Sequence, residues 1–402
     1  MVDGMRVAVL GGGAYAARLC EVLAAWPGLP ALELRVHARD RARLARIVGY
    51  AATRLGARHR VQACDALDDA LAGAAAVVLL IRVGGLAARD HDERFPAAFG
   101  LVGDEGVGVG GLANAWRTLP VLDAIAARIA ARAPGAHVLN LMAPLGVTTR
   151  LLVERGHRAV GLCELPAVSR ARWQAGVAEA PPLVYAGLNH LGFWWSPEMA
   201  ALEHPVLRQA IARGEVTEEV VARYGGVPLH YVLDVFEVAA GAALGRVRSP
   251  GRARELAAHR AVLLDRFAGA TGPVAELAQR PTPWFEHALV PALHAALGGP
   301  ALRAPLDLPN GDRLDEAPRG VVIEATGRYG ATATLDPVPP RPPAIRAWIA
   351  RLAASEDALY RAAIDRDRAR LGEALDALPL EVRAADRGRV LDHVCEAIGE
   401  AA

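Results

Sequence analysis

The 402-residue chain lacks a surplus of either charge: 45 lysines and arginines stand against 44 aspartates and glutamates. It also lacks any basic block interleaved with aromatics, so it carries no electrostatic footprint for nucleic acid and points instead to small-molecule chemistry. Cysteine is scarce. Cys20, Cys64, Cys163 and Cys395 lie far apart with no CxxC pair, which indicates neither a zinc knuckle nor a disulfide framework. Long uninterrupted apolar runs are missing too. Apolar residues make up 53% of the chain, but much of this is alanine, and the stretch 113–131 is interrupted by Arg117 and Arg128, which a membrane span would tolerate poorly. The opening Met1-Val2-Asp3-Gly4-Met5 leads into a strand pattern rather than a charged segment, apolar core and cleavage site. A cytoplasmic protein without a membrane partner is therefore expected. No internal repeat or low-complexity tract is present.

What is present is regular alternation. Residues 6–10, 33–37, 75–81, 137–141 and 159–162 read as buried strands, and 17–25, 41–55, 113–131 and 147–154 as amphipathic helices between them. This predicts a doubly wound, Rossmann-like parallel sheet with ligands at the carboxyl ends of its strands. The length favours two joined domains, 1–184 for the parallel sheet and 185–402 for an α+β region serving catalysis and oligomerisation. In that second region, 227–244 reads as a long helix, 301–336 as antiparallel strands including 320–325, and 344–378 as one long amphipathic helical segment after the proline cluster 337–343.

Gly11-Gly12-Gly13-Ala14-Tyr15-Ala16 follows the first strand and matches G-x-G-x-x-G/A. The first glycine permits the tight turn, the second lets backbone approach a pyrophosphate, and a small third residue lets helix and strand pack closely. A nicotinamide dinucleotide on Gly11, Gly12, Gly13, Ala14 and Tyr15 is the expectation. At the end of the second strand stand Arg39 and Asp40. Asp40 would suit a ribose hydroxyl and Arg39 a 2′-phosphate, which leaves NAD and NADP both open.

The segment 81–94, Ile-Arg-Val-Gly-Gly-Leu-Ala-Ala-Arg-Asp-His-Asp-Glu-Arg, is the most telling stretch of the chain. With Gly103-Asp104-Glu105-Gly106, Arg117-Thr118-Leu119-Pro120, Gly161-Leu162-Cys163, Gly187-Leu188-Asn189-His190 and Val227-Pro228-Leu229-His230-Tyr231, it resembles family 4 of the glycoside hydrolases. Those are NAD- and metal-dependent 6-phospho-glycosidases, and the landmarks occur in family order. The resemblance implies a mechanism outside the usual two-carboxylate scheme. NAD⁺ takes hydride from sugar C3, the acidified C2 proton is removed, the C1 group is eliminated, water adds, and the hydride returns.

Residue by residue, the resemblance implies Cys163 and His190 as ligands of Mn²⁺ or another divalent transition metal, a donor pair suited to such ions. It implies Tyr231 as the base, needing a nearby cation because a free phenol is a poor base at neutral pH; Tyr224 is the competing tyrosine. Glu105 matches an acidic residue that assists the base, and Arg82 falls to the cofactor. Arg89, Asn189 and Arg252 are expected on the substrate, Arg252 on its phosphate, for which a guanidinium fork is well shaped.

Two positions depart from the family pattern. Ala143 in Asn140-Leu141-Met142-Ala143-Pro144 replaces an asparagine that contacts a sugar hydroxyl, and Glu164 follows the cysteine where α-specific members carry aspartate and β-specific ones asparagine. Glu164 is a candidate acid for the leaving group. A 6-phospho-β-glucoside is the leading substrate, with another anionic or unphosphorylated glycoside, or a plain sugar or 2-hydroxyacid dehydrogenase, as alternatives. A homodimer or homotetramer is implied by the resemblance alone.

Overall fold

In the computed structural model the described residues are 4–246 and 251–396; Ser249 and Pro250, which precede Arg252 in its segment, lie outside them. The N-terminal half is a parallel sheet of β1 (Met5–Gly11), β2 (Leu32–His37), β3 (Arg60–Cys64), β4 (Ala76–Leu80), β5 (His137–Asn140) and β6 (Arg158–Gly161). Their order is β3-β2-β1-β4-β5-β6, the expected doubly wound arrangement. Strands β4 and β5 are almost wholly buried and β1 is buried from Val7 to Leu10, as parallel strands covered on both faces must be. Strand β3 has no such apolar signature because it is the sheet's edge, exposed along most of its length.

The rest of the chain extends the same sheet in antiparallel fashion. The added strands are β7 (Val184–Gly187), β8 (Phe193–Trp195), β9 (Val227–Pro228), β10 (Leu302–Pro309), β11 (Val322–Tyr329) and β12 (Ala333–Leu335). Strand β10 joins β6 through Asp307 opposite Gly161, and β11 joins β7 through Glu324 opposite Gly187. A hairpin from late in the sequence is therefore inserted between β6 and β7. Position 184 is the first residue of β7, and the sheet runs continuously from one side of that position to the other.

Two helical expectations need correction. Residues 227–244 form not one helix but β9, a π-helical turn at Val232–Phe236 and a short helix Val238–Ala243; Val227 is drawn into the sheet by pairing with Trp194. The segment 344–378 is two helices, Pro343–Asp365 and Arg368–Ala377, broken where Arg366 turns left-handed (φ 56°) and Asp367 caps the second helix by accepting from the Ala369 and Arg370 amides. Among the described residues, no helix is long and apolar enough to cross a membrane.

Candidate active site

The glycine turn leaves β1 with three successive left-handed residues, Gly11 (φ 89°), Gly12 (φ 90°) and Gly13 (φ 51°). A Cβ on Gly11 would sit 2.7 Å from the Leu80 carbonyl oxygen, so β4 demands glycine there. At Gly13 a Cβ would meet no protein atom within 4 Å, so this residue's backbone borders open space just before the helix Ala16–Ala25. Tyr15 closes the turn; its hydroxyl is 2.8 Å from His259 Nδ1, and the Arg280 guanidinium lies over its ring at 4.7 Å. At the end of β2, Asp40 is the N-cap of the helix Arg41–Arg54, its Oδ1 accepting from the Arg43 amide at 2.9 Å, while Arg39 is exposed.

Beyond β4, Glu105 is gripped by two arginines. Arg82 donates to it through Nε at 2.6 Å and Nη2 at 2.8 Å, and Arg89 Nη1 lies 2.7 Å from its Oε1. Burial alone would raise this carboxyl, but Arg82 and Arg89, with Arg280 adding to them, hold it down at about 2. Arg89 also donates to Glu93, whose other oxygen accepts the Ala253 amide at 2.9 Å. That bond ties the start of the helix Arg252–Phe267 to the helix Gly85–Arg94. Arg252 itself is exposed and paired with Glu255, and Arg252 and Arg89 both act electrostatically on half-buried Arg280. Arg82 and Arg89 thus reach the site already joined to Glu105, and Arg280 completes an arginine cluster that no sequence motif marked.

Cys163 follows β6 and is buried. Two buried carboxylates lie beside it on the inserted hairpin, Asp307 and Glu324, which face each other across β10 and β11. Glu324 accepts from the Tyr185 hydroxyl at 2.5 Å and from Asn189 Nδ2 at 3.2 Å, and it is hydrogen-bonded to Cys163. Burial pushes the thiol far above its ordinary range, and Glu324, Glu164 and Asp307 add to that; burial also raises Asp307, Glu324 and Glu164. Asn189 therefore arrives with its amide group committed to Glu324. The signal for Glu324 was legible, an acid within the apolar run 321–325, although nothing local told its partner.

His190, next to Asn189, adopts a left-handed backbone (φ 66°) that turns its ring onto Tyr231, with centroids 4.3 Å apart and planes 15° apart. The His230 ring lies 4.6 Å from the same tyrosine. A Cβ on Gly106 would be 3.8 Å from His190 Nδ1, 3.3 Å from Asp104 Oδ1 and 4.0 Å from the Ala143 Cβ, so the 104–106 loop, Ala143 and His190 meet at one place. Asn114 fastens them, donating to the Glu105 carbonyl at 2.8 Å and the Ala143 carbonyl at 3.0 Å. Tyr224 lies elsewhere: its ring packs on Phe193 and Trp348, and its hydroxyl donates to Glu237 at 2.6 Å.

A doubly wound sheet with a left-handed glycine turn, with Cys163, His190 and Tyr231 on segments that follow β6, β7 and β9, defines a Rossmann-like α/β protein. Residues 6–177 match the model of the family described as Family 4 glycosyl hydrolase, so the resemblance read from the motifs is shown for that stretch. A Bacillus subtilis (strain 168) protein named "Probable 6-phospho-beta-glucosidase" is 34% identical over 209 residues, 48% of this chain and 46% of that protein. The alpha-galacturonidase of the same organism is 36% identical over 111 residues, 26% of this chain and 25% of its own length. The chain thus matches about half the length of its curated relatives, or less. The 6-phospho-beta glucosidase of Thermotoga maritima, solved with manganese, NAD⁺ and glucose-6-phosphate, superposes with a TM-score of 0.82 over 97% of both chains at 20% identity. The whole chain therefore has that fold.

Proposed function

We propose that the chain is an NAD⁺- and divalent-metal-dependent glycosidase acting on 6-phospho-glycosides, with 6-phospho-β-glucosides the leading class. The observation that carries this reading is the meeting of the 104–106 loop, Ala143, His190 and Tyr231 at one place, with the arginine-gripped Glu105 beside it.

The residues fit both groups. The glycine turn offers left-handed backbone at Gly12 and Gly13, open space outside Gly13 and a helix start for a pyrophosphate, with Ala14 and Tyr15 flanking it. Asp40, spent in part on its helix cap, would take a ribose hydroxyl or Arg39 a 2′-phosphate, and Arg82, joined to Glu105, would serve the cofactor. Cys163 sits among Glu324, Asp307 and Glu164, where burial and acidic neighbours disfavour a bare thiolate and a cation would relieve it. Cys163 and His190 would hold the metal. When bound, NAD⁺ would supply a hydride acceptor and donor for sugar C3, and the metal a positive charge for the neighbouring sugar oxygens.

The chain's own residues do the rest. Tyr231 removes the C2 proton at its phenol oxygen, steadied by the stacked His190 ring. Glu105, kept ionised by Arg82 and Arg89, assists that proton transfer. Glu164, which burial favours in its protonated form, gives its proton to the leaving-group oxygen. Arg89 and Asn189 orient the sugar, and Arg252, with Arg280 nearby, meets its phosphate. The region 1–184 carries the cofactor and 185–402 completes the substrate site and the contacts of a homodimer or homotetramer in the cytoplasm.

The test is hydrolysis of p-nitrophenyl β-glucoside 6-phosphate and its unphosphorylated counterpart with NAD⁺ and Mn²⁺ in deuterated water. Deuterium at C2 of the released sugar is the expected result; efficient hydrolysis with protium retained at C2 would overturn the elimination route. Ala143, Glu164 and the similarity to an alpha-galacturonidase favour a second reading, the same reaction on a uronate or other anionic sugar. Preference for a galacturonide over the 6-phosphate would select it.

A further inference from the structure

Away from this site, His91 on the helix Gly85–Arg94 faces His393 and Glu396 at the other end of the chain. Their donor atoms all lie within 4.8 Å of one another, the one such trio of histidine, cysteine or acidic side chains among the described residues. Glu396 Oε2 is 3.3 Å from His91 Nε2 and is hydrogen-bonded to His393 Nδ1 at 3.3 Å. That spacing is what two ligands show around a four-coordinate ion, since metal–nitrogen and metal–oxygen bonds of about 2.0–2.1 Å at tetrahedral angles put ligands roughly 3.3 Å apart.

Two further observations point to a ligand. His91 Nε2 is shut off from solvent and has no hydrogen-bond partner, because its approach to Glu396 lacks hydrogen-bond geometry. Its other nitrogen, Nδ1, is 3.3 Å from Asp92 Oδ1, and Asp92 is itself buried and paired with Arg117 at 2.6 Å. A carboxylate behind one imidazole nitrogen, leaving the other to face outward, is the usual support of a metal-binding histidine. The Phe95 ring stacks against His91 at 4.7 Å and His393 at 5.3 Å, fixing both.

We propose that His91, His393 and Glu396 form a second metal site, separate from Cys163 and His190, that binds a divalent transition ion of the zinc, cobalt or nickel class. Two neutral imidazoles and one carboxylate suit such ions, with water completing the shell. The ion clamps the end of the helix Arg387–Val394 to the helix that carries Arg89 and Glu93. The site does not rest on the glycosidase reading.

The experiment uses the full chain carrying Cys163→Ser, stripped of metal with a chelator and titrated with Zn²⁺ by calorimetry. One equivalent is expected to bind and to raise the thermal midpoint. Adding Glu396→Gln, a change at a half-exposed side chain outside the core, is expected to weaken Zn²⁺ by on the order of 100-fold or more and to abolish the midpoint rise. Cobalt gives a second readout: visible d–d bands without thiolate charge transfer in the Cys163→Ser chain, lost with His393→Gln. Absence of Zn²⁺ binding to the Cys163→Ser chain, or equal binding after Glu396→Gln, would overturn the proposal.

Discussion

His190 and Tyr231 lie ring on ring, with centroids 4.3 Å apart and planes 15° apart. The stack needs the aromatic face of residue 231 and not its hydroxyl. Tyr231→Phe is therefore expected to leave the unfolding midpoint nearly unchanged while the turnover number falls by about 10²–10⁴-fold, the usual contribution of a positioned base. Steady-state kinetics on the aryl 6-phospho-glucoside checks it, and an unchanged rate would remove Tyr231 from the reaction.

Glu105 holds two arginines and is held at about 2 by them. Its folded value is depressed below the ordinary 4.5, so its contribution to stability is full above that ordinary value and is lost as pH falls through about 2. Glu105→Gln leaves Arg82 and Arg89 facing a neutral group. We expect a loss of about 2–3 kcal/mol near pH 7, read by urea unfolding, and a shallower acid limb between those two values.

Glu356, on the helix Pro343–Asp365, is pushed up to about 8 by burial, with Arg150 opposing. The folded chain keeps a proton that the unfolded chain releases at its ordinary 4.5, so stability falls as pH rises from there and the cost is complete above about 8. Glu356→Gln should stabilise the protein in mildly alkaline buffer, by up to about 4–5 kcal/mol, and little in acid. Thermal midpoints across pH test this; a variant that gains equally at both ends would contradict it.

Gly11 and Gly13 have opposite surroundings, and alanine separates them. At Gly11 the new Cβ runs into the Leu80 carbonyl, so Gly11→Ala should unfold more readily. At Gly13 it meets no protein atom, so Gly13→Ala should cost about 1 kcal/mol of backbone strain while NAD⁺ affinity falls by about tenfold or more. Calorimetric titration with NAD⁺ distinguishes the two effects.

The parallel sheet was legible because its central strands are short apolar runs bounded by helical periods, and β1, β2, β4, β5 and β6 fall where those runs lie. The edge strand β3 was not, since a strand exposed on both faces carries no apolar period. The glycine turn declared its own backbone. Asp307 and Arg280, and the partners of Glu324, could not be placed from sequence: each acts through a partner over 100 residues away, and only the pairing of β10 with β6 and β11 with β7 brings the acids to Cys163. The same holds for His91 and His393. The helix break at Arg366 is hidden in the sequence because the apolar period runs on through the Asp367 cap.

The hairpin of β10 and β11 also sets a timetable. Strand β6 ends at Gly161 and β7 begins at Val184, yet the strands that join them are made only after residue 302. As the chain leaves the ribosome, the open side of β6 and the aromatic β7–β8 ribbon must wait for well over a hundred further residues before they are covered. Pairings of that sequence separation form slowly and leave sticky edges exposed. Production in cells should therefore respond more to chaperone supply and growth temperature than the stability of the finished fold would suggest.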